Sequence, residues 1–258
     1  MSEREAKTNV EPPILSPEPE DAAPATSHNS TAKAVELPDA SEAPATAKTD
    51  PAEPVLKATD NSPPEELENQ NRGLGKIAQY HFAAAMAAFT LFGAGDVWAV
   101  QSGLWLASAV SVANGLIAGV VLAYLIHEWS HFSGARLAGA RSPALKEPRS
   151  FFMFNFDMER NSISQFLTMS LGGPLGNWLL VLALWWLLPL NTAGQAMFFA
   201  AASAIAISVS IFEIPVINRT RAGGNPGKEL AQRLESGALT TGRNIGIAAG
   251  VVLFLIVS

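Results

Sequence analysis

His127, Glu128 and His131 form the pattern H-E-x-x-H in the stretch "LAYLIHEWSHFSGARLAG", where an apolar run ends. On a helix, residues i and i+4 share a face, so two imidazoles at this spacing can hold one Zn2+. Glu128 beside them can take a proton from water polarised by the metal. In a chain of this composition the pattern arises by chance on the order of once in 250 chains. The competing explanation is an inert packing cluster, in which the two histidines and the glutamate satisfy one another, Ser130 and backbone groups. Against it stands the cost of ionisable groups at membrane depth, about 3 kcal/mol each on insertion scales, which metal ligation would offset.

The elements around these groups decide whether they lie at such a depth. The 258 residues fall into two regimes that meet near Arg72. Residues 1–72 carry 15 acidic and 6 basic side chains, a net of −9, and 11 of the 17 prolines. Such a segment buries too little apolar surface to offset its ordering entropy, which predicts a disordered, acidic, Pro-rich tail. From Gly73 onward 11 basic residues stand against 8 acidic ones and long apolar runs dominate, the composition of a membrane protein. The opening "MSEREAKTNVEPP" lacks the apolar core and cleavage signature of a removable secretory signal. The absence of cysteine excludes disulfides, thiolate catalysis and cysteine-ligated metal. No basic patch suited to nucleic acid and no internal repeat is visible.

Five apolar segments each approach the roughly 20 residues that a helix rising about 1.5 Å per residue needs to cross about 30 Å of hydrocarbon. They are expected near residues 77–100, 104–132, 163–190, 196–217 and 241–258. Arg72 and Lys76 precede the first. Arg136, Arg141, Lys146, Arg149 and Arg160 separate the second from the third, and Arg219, Arg221, Lys228, Arg233 and Arg243 lie between the fourth and fifth. The other two loops, "QSG" and "NTAGQ", are uncharged. Because Lys and Arg are retained on the cytoplasmic side, the N-terminus and its tail are expected in the cytoplasm and the C-terminus outside. In the second basic loop, "PRSFFMFNFDMER", Phe152, Phe154, Phe156 and Met158 alternate with smaller or polar positions, the period of a half-buried strand. The segment reads either as an interfacial stretch with aromatic anchors or as a membrane-edge strand or hairpin able to pair with an extended peptide.

Together these features resemble the site-2 protease family of intramembrane zinc metalloproteases. The resemblance covers roughly residues 120–224 and rests on the order and spacing of three features. The H-E-x-x-H helix comes first, and "SFFMFNFDMERNSISQF" then matches that family's short strand-rich membrane-associated segment. In "LTMSLGGPLGNWLL", Gly173, Pro174 and Asn177 follow the family's G-P-x-x-N motif. Counted at about 1.5 Å per residue from Arg136, His131 and His127 lie about 8 and 14 Å deep. From Ile163, Gly172 and Pro174 lie about 14 to 17 Å deep on the same count, so the motifs can meet. "GGPLGN" also suits a close-packed small-residue crossing. The resemblance implies Zn2+ as cofactor, membrane-spanning proteins as substrates and Glu128 as general base. Asn177 could bond a substrate backbone, and the strand around Phe154 could hold that backbone extended.

The chain departs from the family at the third zinc ligand, an aspartate in an L-D-G motif. Here "SIFEIPVINRTRAGGNPGKEL" has Ala222 before Gly223 and Gly224. Glu213 is the replacement expected: it is the one acidic residue of the fourth segment and lies about 9 Å inside Arg219, the depth of the two histidines. A His, His, Glu set is an established catalytic zinc arrangement. The alternative is a carboxylate paired with Arg219 or Arg221. Asn225, a neutral amide in the basic loop, is a weaker ligand candidate. His81 is expected as an interfacial histidine and Asp96 as a solvated helix end.

The sequence therefore predicts an all-α polytopic membrane protein with about five transmembrane helices and a short membrane-edge strand segment. A disordered tail over residues 1–72 precedes a metalloprotease-like domain over residues 73–258. The expected function is a zinc metalloendopeptidase acting in or near membrane-spanning segments of other proteins, with His127, His131 and Glu213 as ligands. The alternative is an inactive relative serving as a membrane binding or regulatory scaffold. The expected location is the cell (inner) membrane, with the lipid bilayer and membrane-protein substrates as partners and no nucleic acid. The tail could serve a cytoplasmic partner.

Overall fold

The computed structural model describes residues 64–149 and 152–258. In chain order these form α1 (Pro64–Asn71), α2 (Leu74–Ser102), α3 (Trp105–Leu137), β1 (Ala144–Arg149), β2 (Phe152–Phe154), α4 (Ile163–Leu187), α5 (Ala193–Arg221), α6 (Pro226–Glu235) and α7 (Ala238–Val257). Five of them, α2, α3, α4, α5 and α7, are long and apolar enough to cross a membrane. They match the five expected segments, each shifted by a few residues at its ends. The chain is a multi-pass helical membrane protein with one small antiparallel strand pair.

The outward faces of the helices are apolar, with Phe82, Leu91, Leu179, Ile247 and Leu255 among the exposed side chains. Helical hydrogen bonding serves the backbone of the spans, as hydrocarbon surroundings require, except where Pro174 and Pro215 remove a donor. Trp98, Trp105, Trp185 and Trp186 are exposed close to the two uncharged loops, the placement of an aromatic belt at the headgroup level.

Inside, α3 packs against α2, α4 and α5, and α7 packs against α5. Small residues permit these contacts. Ala88, Ala118, Ala123 and Ala202 line the core beside Phe92, Phe198, Leu180 and Leu184. The rings of Phe92 and Phe198 meet edge-on with centroids 4.9 Å apart. The strand pair sits below this core, with Met153 and Ala144 packed on Ile77 of α2 and Phe132 of α3.

One set of bonds fixes the register between α3 and α4. Ser162 and Gln165 close a capping box at the start of α4, Ser162 Oγ accepting from the Gln165 amide at 3.2 Å and Gln165 Oε1 from the Ser162 amide at 2.8 Å. The Gln165 amide group then donates to the carbonyls of Ala138 and Gly139, where α3 ends, at 3.2 and 2.9 Å. The last turn of α3 is thereby tied to the first turn of α4.

Two expectations are corrected, the end of the tail and Asp96, and the strand segment is found. Most of the acidic tail, residues 1–63, lies outside the described residues. Its last part is helical instead of disordered: Gln70 of α1 is buried, and Arg136 donates to its side chain at 3.2 Å, to its carbonyl at 3.3 Å and to Asn71 Oδ1 at 2.9 Å. The strand read from the alternation between Phe152 and Met158 is present as β2, which ends at Phe154 and pairs in a hairpin with β1, whose mixed sequence gave no strand signal. Asp96 is not a solvated helix end. It is 8 % exposed and accepts from Ser111 at 2.9 Å, Thr192 at 2.5 Å and Gln195 at 2.9 Å. It thereby joins α2 and α3 to the start of α5.

Hydrogen bonds to a charged group contribute about 1.5 to 3 kcal/mol each. Asp96→Leu is therefore expected to lower the unfolding midpoint in detergent by at least about 2 kcal/mol equivalent. Asp96→Asn should be milder, since it keeps the side-chain shape and one acceptor. Thermal unfolding followed by circular dichroism makes the comparison.

Candidate metal centre

His127 and His131 project from one face of α3, as the i, i+4 spacing requires. Glu213 reaches them from α5. Nε2 of His127 lies 3.0 Å from Oε1 of Glu213, Nε2 of His131 lies 3.5 Å from the same oxygen, and the two Nε2 atoms are 3.0 Å apart. Among the described residues this is the one group of three or more such side chains whose ligand atoms converge. Tetrahedral zinc with bonds of about 2.0 to 2.1 Å sets its ligand atoms about 3.3 Å apart, and the three observed separations bracket that edge. Glu213 does not pair with Arg219, which meets Glu229 of α6 at 3.5 Å instead.

The donor set also fits a cation by its unmet bonding. Nδ1 of His131 lies 2.8 Å from the carbonyl of Met169 and 3.3 Å from the amide of Gly173. One nitrogen cannot donate to the first and accept from the second, and the shorter contact places the proton on Nδ1. Nε2 of His131 is thereby turned toward Oε1 of Glu213, 3.5 Å away. A backbone carbonyl on the far nitrogen of a ligating histidine is the usual way its orientation and tautomer are set. Oε2 of Glu213 is buried without a hydrogen-bond partner.

Asn177 of α4 is fully buried, with Nδ2 3.4 Å from Nδ1 of His127 and Oδ1 unpartnered. Turning this amide over places Oδ1 against Nδ1 of His127. That pairs the orphan oxygen and frees the Nε2 lone pair of His127 for the centre. Asn177 therefore meets the histidine, whereas a substrate contact had been expected of it.

Gly173 makes the geometry possible. A Cβ there would lie 2.3 Å from Nε2 of His131 and 2.6 Å from Cε1 of His127, inside the space a cation and its ligands need. Gly172 and Gly176 bring the α4 backbone against Ser130: a Cβ would sit 2.3 Å from the Ser130 carbonyl at the first position and 2.0 Å from its Oγ at the second.

Glu128 is half-buried, and its carboxylate is close enough to His127, His131 and Glu213 to feel their charges. It is not one of the three converging ligands. His81 is buried on α2, where its Nδ1 accepts from the Trp129 indole at 3.2 Å, and it stands outside the metal group. Phe154 of β2 turns its half-buried ring onto Phe132, with centroids 5.5 Å apart. Asn225 caps α6, its Oδ1 accepting from the Lys228 amide at 3.1 Å, and is likewise outside the group. Sequence reasoning missed Met169, which acts through its carbonyl and carries no side-chain signal, and it missed the steric role of Gly173.

No protein-family model, curated protein or solved structure matches this chain. A functional reading therefore rests on the site.

Gly173→Ala is expected to weaken zinc binding by at least about 10- to 100-fold, the loss typical when the support of a ligand is removed. Gly75→Ala, at a helical glycine with nothing within 4 Å, should leave it unchanged. Asn177→Leu should also cost about 10- to 100-fold in affinity, with Asn177→Asp retaining most of it. Competition with a chromophoric chelator in detergent measures all four.

Proposed function

We propose that the chain is an intramembrane zinc metalloprotease of the site-2 protease type, hydrolysing peptide bonds in or near membrane-spanning segments of other proteins. The observation that carries this reading is the convergence of His127, His131 and Glu213 at tetrahedral spacing, with Glu128 beside them, inside a membrane protein. The G-P-x-x-N stretch adds weight, because Gly173 clears the space in front of both imidazoles and Asn177 orients one of them.

Zinc held at this centre would polarise the scissile carbonyl and a water molecule, lowering the pKa of that water toward neutrality. His127 and His131 would hold it through Nε2, and Glu213 would give the third donor in place of the family's aspartate. Glu128 accepts the proton of the attacking water as the new C–O bond forms, then delivers it to the amide nitrogen as the C–N bond breaks. A substrate helix must unwind to offer its backbone, because a helix in hydrocarbon satisfies all its own hydrogen bonds. The strand pair at the basic-loop end, in which β2 has β1 as its one strand neighbour among the described residues, could hold the unwound segment extended. The distribution of Lys and Arg favours the basic loops and the acidic tail on the cytoplasmic side, in a membrane this reading takes to be the cell (inner) membrane.

Purified protein is expected to hold about one zinc per chain and to lose it in a His127→Ala, His131→Ala double variant, by elemental analysis. Glu128→Gln should keep the metal and lose at least about 100-fold in cleavage of a reporter membrane protein, within the range ascribed to a general base. Equal cleavage by wild type and Glu128→Gln would sink the protease reading. Zinc without any cleavage would favour the binding or regulatory scaffold.

A further inference from the structure

Pro215 stands two residues beyond Glu213 inside α5. Proline has no N–H, so the carbonyl of Ile211, four residues earlier, loses its intrahelical donor. An unmet carbonyl within a membrane helix costs several kcal/mol, and another group normally supplies the missing bond. Here the donor comes from a different helix: Nη2 of Arg233, in α6, donates to the Ile211 carbonyl at 2.6 Å. Nε of the same guanidinium is buried without a partner, so the Ile211 bond is what holds this charge in place.

The helix carrying Arg233 is short and has no buried residue. Its N-terminus is set by Asn225 as cap and Pro226 in the first turn, and Glu229 meets Arg219 of α5 at 3.5 Å. The exposed pair contributes little, about 0 to 1 kcal/mol. Leu230 of α6 also packs in the cluster that holds Val216 of α5, so the bond from Arg233 to Ile211 is the directed polar link between α6 and the turn of α5 that bears Glu213, beside this apolar contact.

We propose that Arg233 is a positioning residue for Glu213: by capping the carbonyl that Pro215 leaves open, it holds the α5 turn so that the carboxylate meets both histidines. The inference rests on the zinc reading of the site and adds a dependence of metal affinity on the docking of α6. The proline makes this dependence possible. With an ordinary residue at 215 the helix would satisfy Ile211 itself, and the polar hold of Arg233 on the ligand's turn would be lost.

A double-mutant cycle tests it, read by zinc competition with a chromophoric chelator in detergent and by thermal midpoints in excess chelator. Arg233→Ala should weaken zinc binding about tenfold and Arg233→Lys, which keeps a donor, by much less. Pro215→Ala restores an N–H for Ile211 and should leave affinity near wild type. In that background Arg233→Ala should cost nothing further, and the metal-free midpoints should show the same coupling. An equal loss of affinity in both backgrounds, or none in either, would overturn the role of Arg233 while leaving the metal site standing. A lowered midpoint with unchanged affinity would make Arg233 a packing residue and would also overturn it. Absence of zinc binding in every form, wild type included, would remove the metal reading and this proposal together.

Discussion

The close approach of α3 and α4 is the contact on which the centre depends. At Gly172 and Gly176 the backbone of α4 comes so near Ser130 that a single methyl group would collide with it. This contact brings the Met169 carbonyl within 2.8 Å of the His131 ring and the Asn177 amide within 3.4 Å of His127. Between lipid-facing helices there is no hydrophobic gain from association, so small residues, dispersion and hydrogen bonds must supply the contact. The Gln165 bonds to the end of α3 then fix its register, four residues before Met169. A shift of one residue in α4 would replace the Met169 carbonyl with one pointing about 100° away around the helix.

Two prolines interrupt helices at the level of the centre, and their consequences differ. Pro174 follows Gly173 directly, where the α4 backbone already faces the imidazoles, and it removes the amide that would otherwise bond the Ser170 carbonyl. One residue earlier than Ser170, the Met169 carbonyl meets Nδ1 of His131. Pro215 opens α5 beside Glu213, and there the deficit is met from outside by Arg233. In α5 the break gives the Ile211 carbonyl bonding capacity that an unbroken helix would use internally.

The sequence displayed the five spans because hydrophobic length is a strong signal that tertiary contacts seldom override. It displayed His127, Glu128 and His131 because their spacing has a direct geometric meaning on a helix. Glu213 was found by a depth argument, which worked because α3 and α5 both carry their charges at the same end. The helix α6 was not foreseen: ten residues of mostly polar sequence between two spans look like a loop until Asn225 and Pro226 are recognised as its start. The partner strand β1, "ALKEPR", has no apolar alternation and contains a proline, so only pairing with β2 reveals it. Asp96 was misplaced because its three partners are 15 to 99 residues away in sequence and no local pattern announces them. The Met169 carbonyl was beyond any reading of side chains.

Asp96 and Glu213 are both carboxylates largely withdrawn from solvent in the same protein, and their surroundings separate a structural role from a chemical one. Each oxygen of Asp96 receives donors that carry protons of their own, two hydroxyls on one and an amide on the other. It needs nothing further. Glu213 faces the Nε2 atoms of two imidazoles, 3.0 and 3.5 Å from one of its oxygens, while its other oxygen is buried without a partner. Two imidazoles and a carboxylate gathered in this way make a candidate cation site, and Gly173 keeps the space beside both rings clear of side-chain atoms.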